Sequence, residues 1–302
     1  MGVCMNIINE ITKLKKEKDA LILAHYYQLP EVQDIADFVG DSLELSRKAK
    51  ETDKKIIVLC GVHFMAETAK IIAYDKKVLL PANAGCPMAD TLSYEKLKEY
   101  KDKNPDTIII GYVNTTAKCK TLFDVCVTSS NALKIIEHFK DRKMLYVPDK
   151  NLGGYANYIG NFNMELWNGF CCIHNNLKIS EVIDKKNKYP NALVLIHPEA
   201  PLEILKLADY VGSTKGILDF TKNSSSNDFI IGTEKGIIHQ LKKASPNKNF
   251  ILLTEKLICK SMKMTSLEDV RDSLKYEKIK IDIDIDTRSK ALKSLEKMFE
   301  LS

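Results

Sequence analysis

Three cysteines stand in polar, loop-like settings at nearly even spacing: Cys86, Cys171 and Cys259, with gaps of 85 and 88 residues between them. Cys86 itself lies a similar distance from the start of the chain. A cysteine closing each third of a chain points to one site where three similar units meet. Such thiolates suit a metal, but structural zinc calls for close C-x2-C pairs and four ligands, and no such pair occurs here. Iron–sulfur clusters are normally held by four cysteines. Three would leave one iron without a protein ligand, open to substrate as a Lewis acid, which is a catalytic arrangement more than an electron-transfer one.

Other side chains with chemical capability gather at one kind of position. His25 and Tyr27, Tyr112 and Asn114, Thr128 and Ser129, His197 and Glu199, and Ser213 and Thr214 each fall at or just past the C-terminal end of an expected strand. In open α/β sheets that edge binds ligands. Ser42, Ser129 and Ser213 also precede or start expected helices, where free amides favour phosphate or carboxylate. Taken singly, each has a plainer reading: Ser or Thr after a strand is commonly a helix cap, and a strand-end histidine is commonly structural. Cys60 and Cys126 lie within apolar strands and read as core. Cys4 reads as a thiol of a disordered terminus, and Cys119 and Cys172 lie in loops. Adjacent Cys171 and Cys172 cannot easily both bind one cluster. His63, His138 and His239 have no polar company along the sequence and read as structural. The Asp282, Asp284 and Asp286 series reads as the wet face of a strand.

The elements that position these groups alternate. Continuous apolar runs at 21–24, 56–60, 78–80, 108–114, 125–128, 145–147, 192–196, 229–231 and 250–253 read as strands buried on both faces. Amphipathic helices fall between them, among them one from Pro30 through Val39 ended by Gly40, and one opened by a cap-like Asp41 and Glu44. The Asn/Gly/Tyr-rich stretch after Val147 reads as irregular, and 201–208 as a helix. Ile279, Ile281, Ile283 and Ile285 read as an alternating strand before a closing helix. The expected fold class is α/β, three similar α/β/α units with parallel sheets in pseudo-threefold symmetry around a central active site. The units span 1–86, 87–172 and 173–275, with 276–302 packing back on the first.

With 45% hydrophobic and 28% charged residues, the chain has the balance of a soluble globular protein. A net charge of +5 without basic clusters or interleaved aromatics gives no footprint for nucleic acid. No apolar run approaches the roughly 18 residues needed to span a bilayer. The N-terminus lacks a signal-peptide core, so the expected setting is the cytoplasm, where eight cysteines do not form a disulfide framework.

Many separated motifs, in order along nearly the whole chain, resemble quinolinate synthases. They include Leu23-Ala24-His25-Tyr26-Tyr27-Gln28, Gly40-Asp41-Ser42, Phe64-Met65-Ala66-Glu67 and Cys86-Pro87-Met88-Ala89. Tyr112-Val113-Asn114, Thr128-Ser129-Ser130-Asn131-Ala132 and Pro148-Asp149-Lys150-Asn151-Leu152-Gly153 continue the likeness. So do Asn168-Gly169-Phe170-Cys171-Cys172-Ile173-His174, His197-Pro198-Glu199, Asp209-Tyr210-Val211-Gly212-Ser213-Thr214 and Ile231-Gly232-Thr233-Glu234. The resemblance implies a pseudo-threefold enzyme with a [4Fe-4S] cluster on Cys86, Cys171 and Cys259. It implies condensation of iminoaspartate, supplied by L-aspartate oxidase, with dihydroxyacetone phosphate to give quinolinate for NAD biosynthesis. Substrate binding falls to His25, Ser42, Tyr112, Asn114, Ser129, His174, His197, Ser213 and Thr214, and catalysis to Tyr27 and Glu199 with His197. Cys172 departs from the Pro that relatives often carry, so the choice of Cys171 rests on its spacing to His174. An aconitase-like iron–sulfur hydro-lyase and a non-enzymatic iron–sulfur sensor are the competing readings.

Overall fold

The computed structural model describes residues 2–302, without the side chains of 2–5, so the Cys4 thiol lies outside the described residues. Its twelve strands form three four-stranded sheets. The first holds β1 (Ala20–His25), β2 (Phe38–Gly40), β3 (Ile56–Cys60) and β4 (Lys77–Leu79) in the order β2-β1-β3-β4. The second holds β5 (Ile108–Tyr112), β6 (Val125–Val127), β7 (Met144–Val147) and β8 (Glu165–Leu166) in the order β6-β5-β7-β8. The third holds β9 (Leu193–Ile196), β10 (Tyr210–Val211), β11 (Asp228–Gly232) and β12 (Asn249–Leu252) in the order β10-β9-β11-β12. Every pairing within these sheets is parallel. Helices alternate with the strands, so this is an α/β fold repeated three times.

The central strands are apolar along their whole length because helices cover both faces: all of Ile56–Cys60 and all of Ala20–His25 are buried. Register makes the repeat residue-specific. His25 stands opposite Gly40 and Tyr112 opposite Val127. Continuing the Val211–Ile196 pairing by one step sets His197 opposite Gly212. Three equivalent rows then emerge at the strand ends: His25, Tyr112 and His197; Ser42, Ser129 and Thr214; and Asp41, Thr128 and Ser213.

Several expectations are corrected. The helix from Pro30 ends at Ile35, because the Asp37 amide and carboxylate both bond Ile22 of β1 and draw Phe38–Gly40 into the sheet edge. The stretch after Val147 is a helix, Lys150–Gly160, capped by Asp149 and ended by Asn161 at φ 52°. Its Gly153 is required by packing, since a Cβ there would meet Leu166 at 2.7 Å and Tyr146 at 2.8 Å. The region read as a helix over 201–208 holds only Leu202–Leu205, after which Tyr210–Val211 pairs as an edge strand. The strand over 279–285 is reduced to an isolated antiparallel bridge between Leu79 and Lys280. Asp284 is the cap of the helix Ile285–Leu301, accepting from the Thr287 amide, so the aspartates there are not the face of a strand. That helix lies across β6 and the helices Ala117–Lys120 and His63–Ile72, while Leu267–Tyr276 packs on Gly2–Glu17. This closing helix thus touches elements of both the first and the second unit. His63 and His239 do have polar company, at 3.7 Å from Glu67 and 2.8 Å from Asp34.

Candidate active site

Each unit ends its fourth strand in a loop, and each loop carries one of the evenly spaced cysteines. Cys86 follows β4, Cys171 follows β8 and Cys259 follows β12, and each is succeeded within a few residues by a 3-10 turn: Ala89–Thr91, His174–Asn176 and Ser261–Lys263. Those turns aim backbone N–H groups at sulfur, from Met88 and Ala89 to Cys86, from His174 to Cys171 and from Met262 to Cys259. All three cysteines line one cavity, together with groups from all three units.

Burial pushes the Cys86 thiol up to about 12 and also raises Cys171 and Cys259. A cation bound among them would reverse that preference, since a metal ligates the thiolate. The donor set fits an iron–sulfur cluster on three sulfurs, with N–H groups already facing each one. No fourth cysteine lines the cavity among the described residues. Cys119 is buried with its sulfur 3.6 Å from the Leu92 carbonyl, and Cys172 is exposed. Cys171, His174 and Glu199 also present ligand atoms within 4.8 Å of one another, a grouping compatible with a metal.

Facing the cysteines is a hydrogen-bonded chain that crosses unit boundaries. The Tyr27 hydroxyl lies 2.8 Å from Thr214 Oγ1 and 2.7 Å from Thr233 Oγ1. Thr233 in turn lies 2.9 Å from His174 Nε2, and His174 Nδ1 lies 2.8 Å from Glu199 Oε2 and 3.3 Å from Cys171 Sγ. Tyr112 donates its hydroxyl to Glu199 Oε1 at 2.7 Å. Burial, and then the charge of Glu199, raises both Tyr27 and Tyr112 well above the usual phenol range, so both are neutral donors. Burial alone would raise Glu199, but His197, His174 and Tyr112 hold it below the ordinary carboxylate range.

The two strand-end histidines are built alike. The Tyr27 amide donates to His25 Nδ1 at 3.1 Å, and the Glu199 amide donates to His197 Nδ1 at 3.4 Å. Each backbone bond fixes a neutral ring with its Nε2–H free to point away from the strand, and for His197 that nitrogen lies 3.3 Å from Ser129 Oγ. Burial holds both histidines near 3, aided at His25 by Lys263 and at His197 by His174.

Residues 9–300 match the family described as quinolinate synthetase A protein. The chain is 50% identical over 297 residues to the quinolinate synthase of Clostridium kluyveri, covering 98% of each sequence. It is 49% identical over 295 residues to that of Caldicellulosiruptor bescii, with 97% of each covered. It is 47% identical over 303 residues to that of Desulforudis audaxviator, with all of each covered.

The chain belongs to the quinolinate synthase family.

It is thus an enzyme, and the cavity gathers nearly every residue singled out by sequence. His25, Tyr27, Ser42, Tyr112, Asn114 and Ser129 line it, as do His174, His197, Glu199, Thr214 and the three cysteines. Ser213 does not: its Oγ accepts from the Gly216 amide at 3.0 Å as a helix cap and lies 2.8 Å from Ser130 Oγ. Thr214 shares a lining row with Ser42 and Ser129; in the preceding row Asp41 and Thr128 line the cavity, and Ser213 differs because its hydroxyl is taken up by the cap. Sequence reasoning missed Asp41, Glu234 and Met262 as lining residues and Thr233 as a link. The Gly232-Thr233-Glu234 run lies at the end of β11, so the strand-end rule that found His25 could have found Thr233 and Glu234. No helix among the described residues is long and apolar enough to cross a membrane.

Proposed function

We propose that this protein forms quinolinate, condensing iminoaspartate with dihydroxyacetone phosphate and releasing phosphate and water, as a step of NAD biosynthesis in the cytoplasm. The observation that carries this reading is the meeting of three cysteines and the Tyr27–Glu199 chain, drawn from three units, in one cavity. Iminoaspartate would come from an L-aspartate oxidase. The units run over 1–86, 87–172 and 173–275.

Cys86, Cys171 and Cys259 are the residues to hold a [4Fe-4S] cluster. When bound, a cluster with one iron free of protein ligand supplies a Lewis acid for loss of hydroxide. Closing a pyridine ring from these substrates also requires repeated removal of protons from carbon. Glu199 is the base: it is ionised, and its proton can be passed through His174. Tyr27, neutral and bonded through Thr233 to the same histidine, is the acid. Positioned groups of this kind are each worth about 10²–10⁴ in rate. Ser42, Ser129 and Thr214 offer hydroxyls for phosphate and carboxylate. His25 and His197 offer Nε2–H donors, and Asn114 a buried carbonyl oxygen without a protein partner.

The test is anaerobic purification with iron and sulfide counts and a quinolinate assay on the same sample. A fully loaded protein that makes no quinolinate from both substrates would overturn the assignment. Turnover of a hydroxy acid without triose phosphate would move it to the hydro-lyases.

A further inference from the structure

Glu234 is fully buried at the cavity wall, and its two oxygens hold two points of the Cys259–Lys263 loop. Oε1 accepts the Cys259 amide at 3.2 Å. Oε2 accepts the Gly236 amide at 2.7 Å and the Lys263 ammonium at 3.0 Å. Lys263 also donates to the backbone carbonyl of Tyr27. The carbonyls on either side of Tyr27 are held as well, since Gln33 Nε2 lies 2.9 Å from both Tyr26 O and Gln28 O. A buried carboxylate survives only when charge and hydrogen bonds compensate its lost hydration, and here the Cys259 and Gly236 amides and the Lys263 ammonium do so.

We infer that Glu234 is a positioning residue that sets the third cysteine and the Tyr27 phenol in register with each other, one carboxylate oxygen holding the Cys259 amide and the other the Lys263 ammonium that reaches the Tyr27 carbonyl.

The threefold repeat supplies the control. Carried two residues past β3, β7 and β11, the register gives Glu234 the place of Asp149 in the second unit and Val62 in the first. Asp149 Oδ1 accepts the Asn151 and Leu152 amides, while its buried Oδ2 has no partner at hydrogen-bond distance and the Cys171 amide approaches it. The first unit, with Val62, presents Cys86 with no carboxylate behind it, its loop being tied by the His63 amide to the Ala84 carbonyl at 2.8 Å. The fold therefore builds a cysteine loop without an acid at this place. The acid in the third unit adds a connection to Tyr27 that the loop itself does not need.

This inference rests on the reading of Cys259 as an iron ligand, so iron is read separately from turnover. Cluster-loaded wild type, Glu234→Ala, Glu234→Gln and Lys263→Met are exposed to a ferrous chelator, and iron release is followed by absorbance, with kcat and KM measured alongside. Glu234→Ala is expected to release iron roughly 10-fold faster. Glu234→Gln keeps a carbonyl oxygen for the Cys259 amide and should release iron near the wild-type rate, yet lose kcat with KM unchanged. Lys263→Met should match Glu234→Gln in both readouts. Iron release from Glu234→Ala at the wild-type rate, or from Glu234→Gln as fast as from Glu234→Ala, overturns the inference. If Glu234→Ala does not fold, Glu234→Gln and Lys263→Met carry the test: early iron loss or an intact kcat in both counts against it. Wild type that holds iron but forms no quinolinate removes the proposed function and leaves the iron-release comparison standing.

Discussion

Tyr27 and Glu199 do not touch; Thr233 and His174 stand between them, with 2.7 Å from Tyr27 to Thr233, 2.9 Å from Thr233 to His174 and 2.8 Å from His174 to Glu199. The phenol comes from the first unit and the carboxylate from the third. Thr233→Val removes the hydroxyl that joins them while keeping the shape of the side chain. Turnover should fall roughly 10²-fold, with iron content unchanged. A quinolinate assay beside an iron count checks it, and full activity in Thr233→Val would show that protons do not pass along this chain.

The metal assignment separates four cysteines cleanly. Cys86→Ser, Cys171→Ser and Cys259→Ser should each lose iron and sulfide together with activity. Cys172→Ser should keep all three, because Cys172 is exposed and absent from the cavity wall. Colorimetric iron and sulfide counts on anaerobic preparations decide this. Loss of iron in Cys172→Ser would exchange the roles of the two neighbours.

His25 carries a stability cost with a defined pH window. Its ordinary value is 6.5, and burial, then Lys263 and His197, hold it at about 3 in the folded protein. Below 6.5 the unfolded chain takes up a proton that the folded chain refuses. Stability from this group is therefore full above 6.5 and drains away as pH falls toward 3. Relative to His25→Gln, wild type should lose about 1.4 kcal/mol per pH unit between roughly pH 6 and 4. Urea denaturation of both proteins at several pH values measures the difference, and parallel curves would refute the buried neutral ring.

The strand-end histidines, the cysteine loops and the threefold order were legible because parallel strands covered on both faces leave continuous apolar runs. The polar residue that ends each run, such as His25 after Leu21–Ala24 or His197 after Leu193–Ile196, is then conspicuous. The edge strands Phe38–Gly40, Glu165–Leu166 and Tyr210–Val211 are two or three residues long and leave no such run. The helix Lys150–Gly160 was hidden by Gly153 and Gly154, and at Gly153 the missing side chain serves packing against Leu166 and Tyr146 and not chain flexibility. Thr233 and Glu234 were passed over because their partners, Tyr27, Lys263 and Cys259, are distant in sequence.

Lys120 is the one fully buried lysine among the described residues, and it donates to the carbonyls of Val113 and Thr115. Those carbonyls flank Asn114, so the ammonium grips the loop that presents the Asn114 side chain to the cavity. Burial lowers its pKa, but the two carbonyl acceptors satisfy the charged form. Lys120→Met leaves the buried Thr115 carbonyl without its donor, at a cost of about 1–3 kcal/mol, while the Val113 carbonyl keeps the Thr115 amide at 2.8 Å. The variant should be less stable by that order and bind substrate more weakly. A thermal melt with a KM measurement checks both effects, and an unchanged KM would separate the loop from the site.

Two adjacent residues should behave in opposite ways. Ser213 caps the helix Thr214–Asn223, and Thr214 lines the cavity within 2.8 Å of the Tyr27 hydroxyl. Ser213→Ala removes an N-cap and should cost about 1 kcal/mol of stability, with a small effect on turnover. Thr214→Val keeps the helix and should lower kcat/KM by roughly 10-fold or more, since it strips a hydroxyl from the Tyr27 phenol and from the substrate-facing row. Melting curves and steady-state kinetics on the pair distinguish them. Should Ser213→Ala prove the more damaging to kcat/KM, the substrate would be reaching past Thr214 to the cap, and the equivalence of Thr214 with Ser42 and Ser129 would fail as a guide to this cavity.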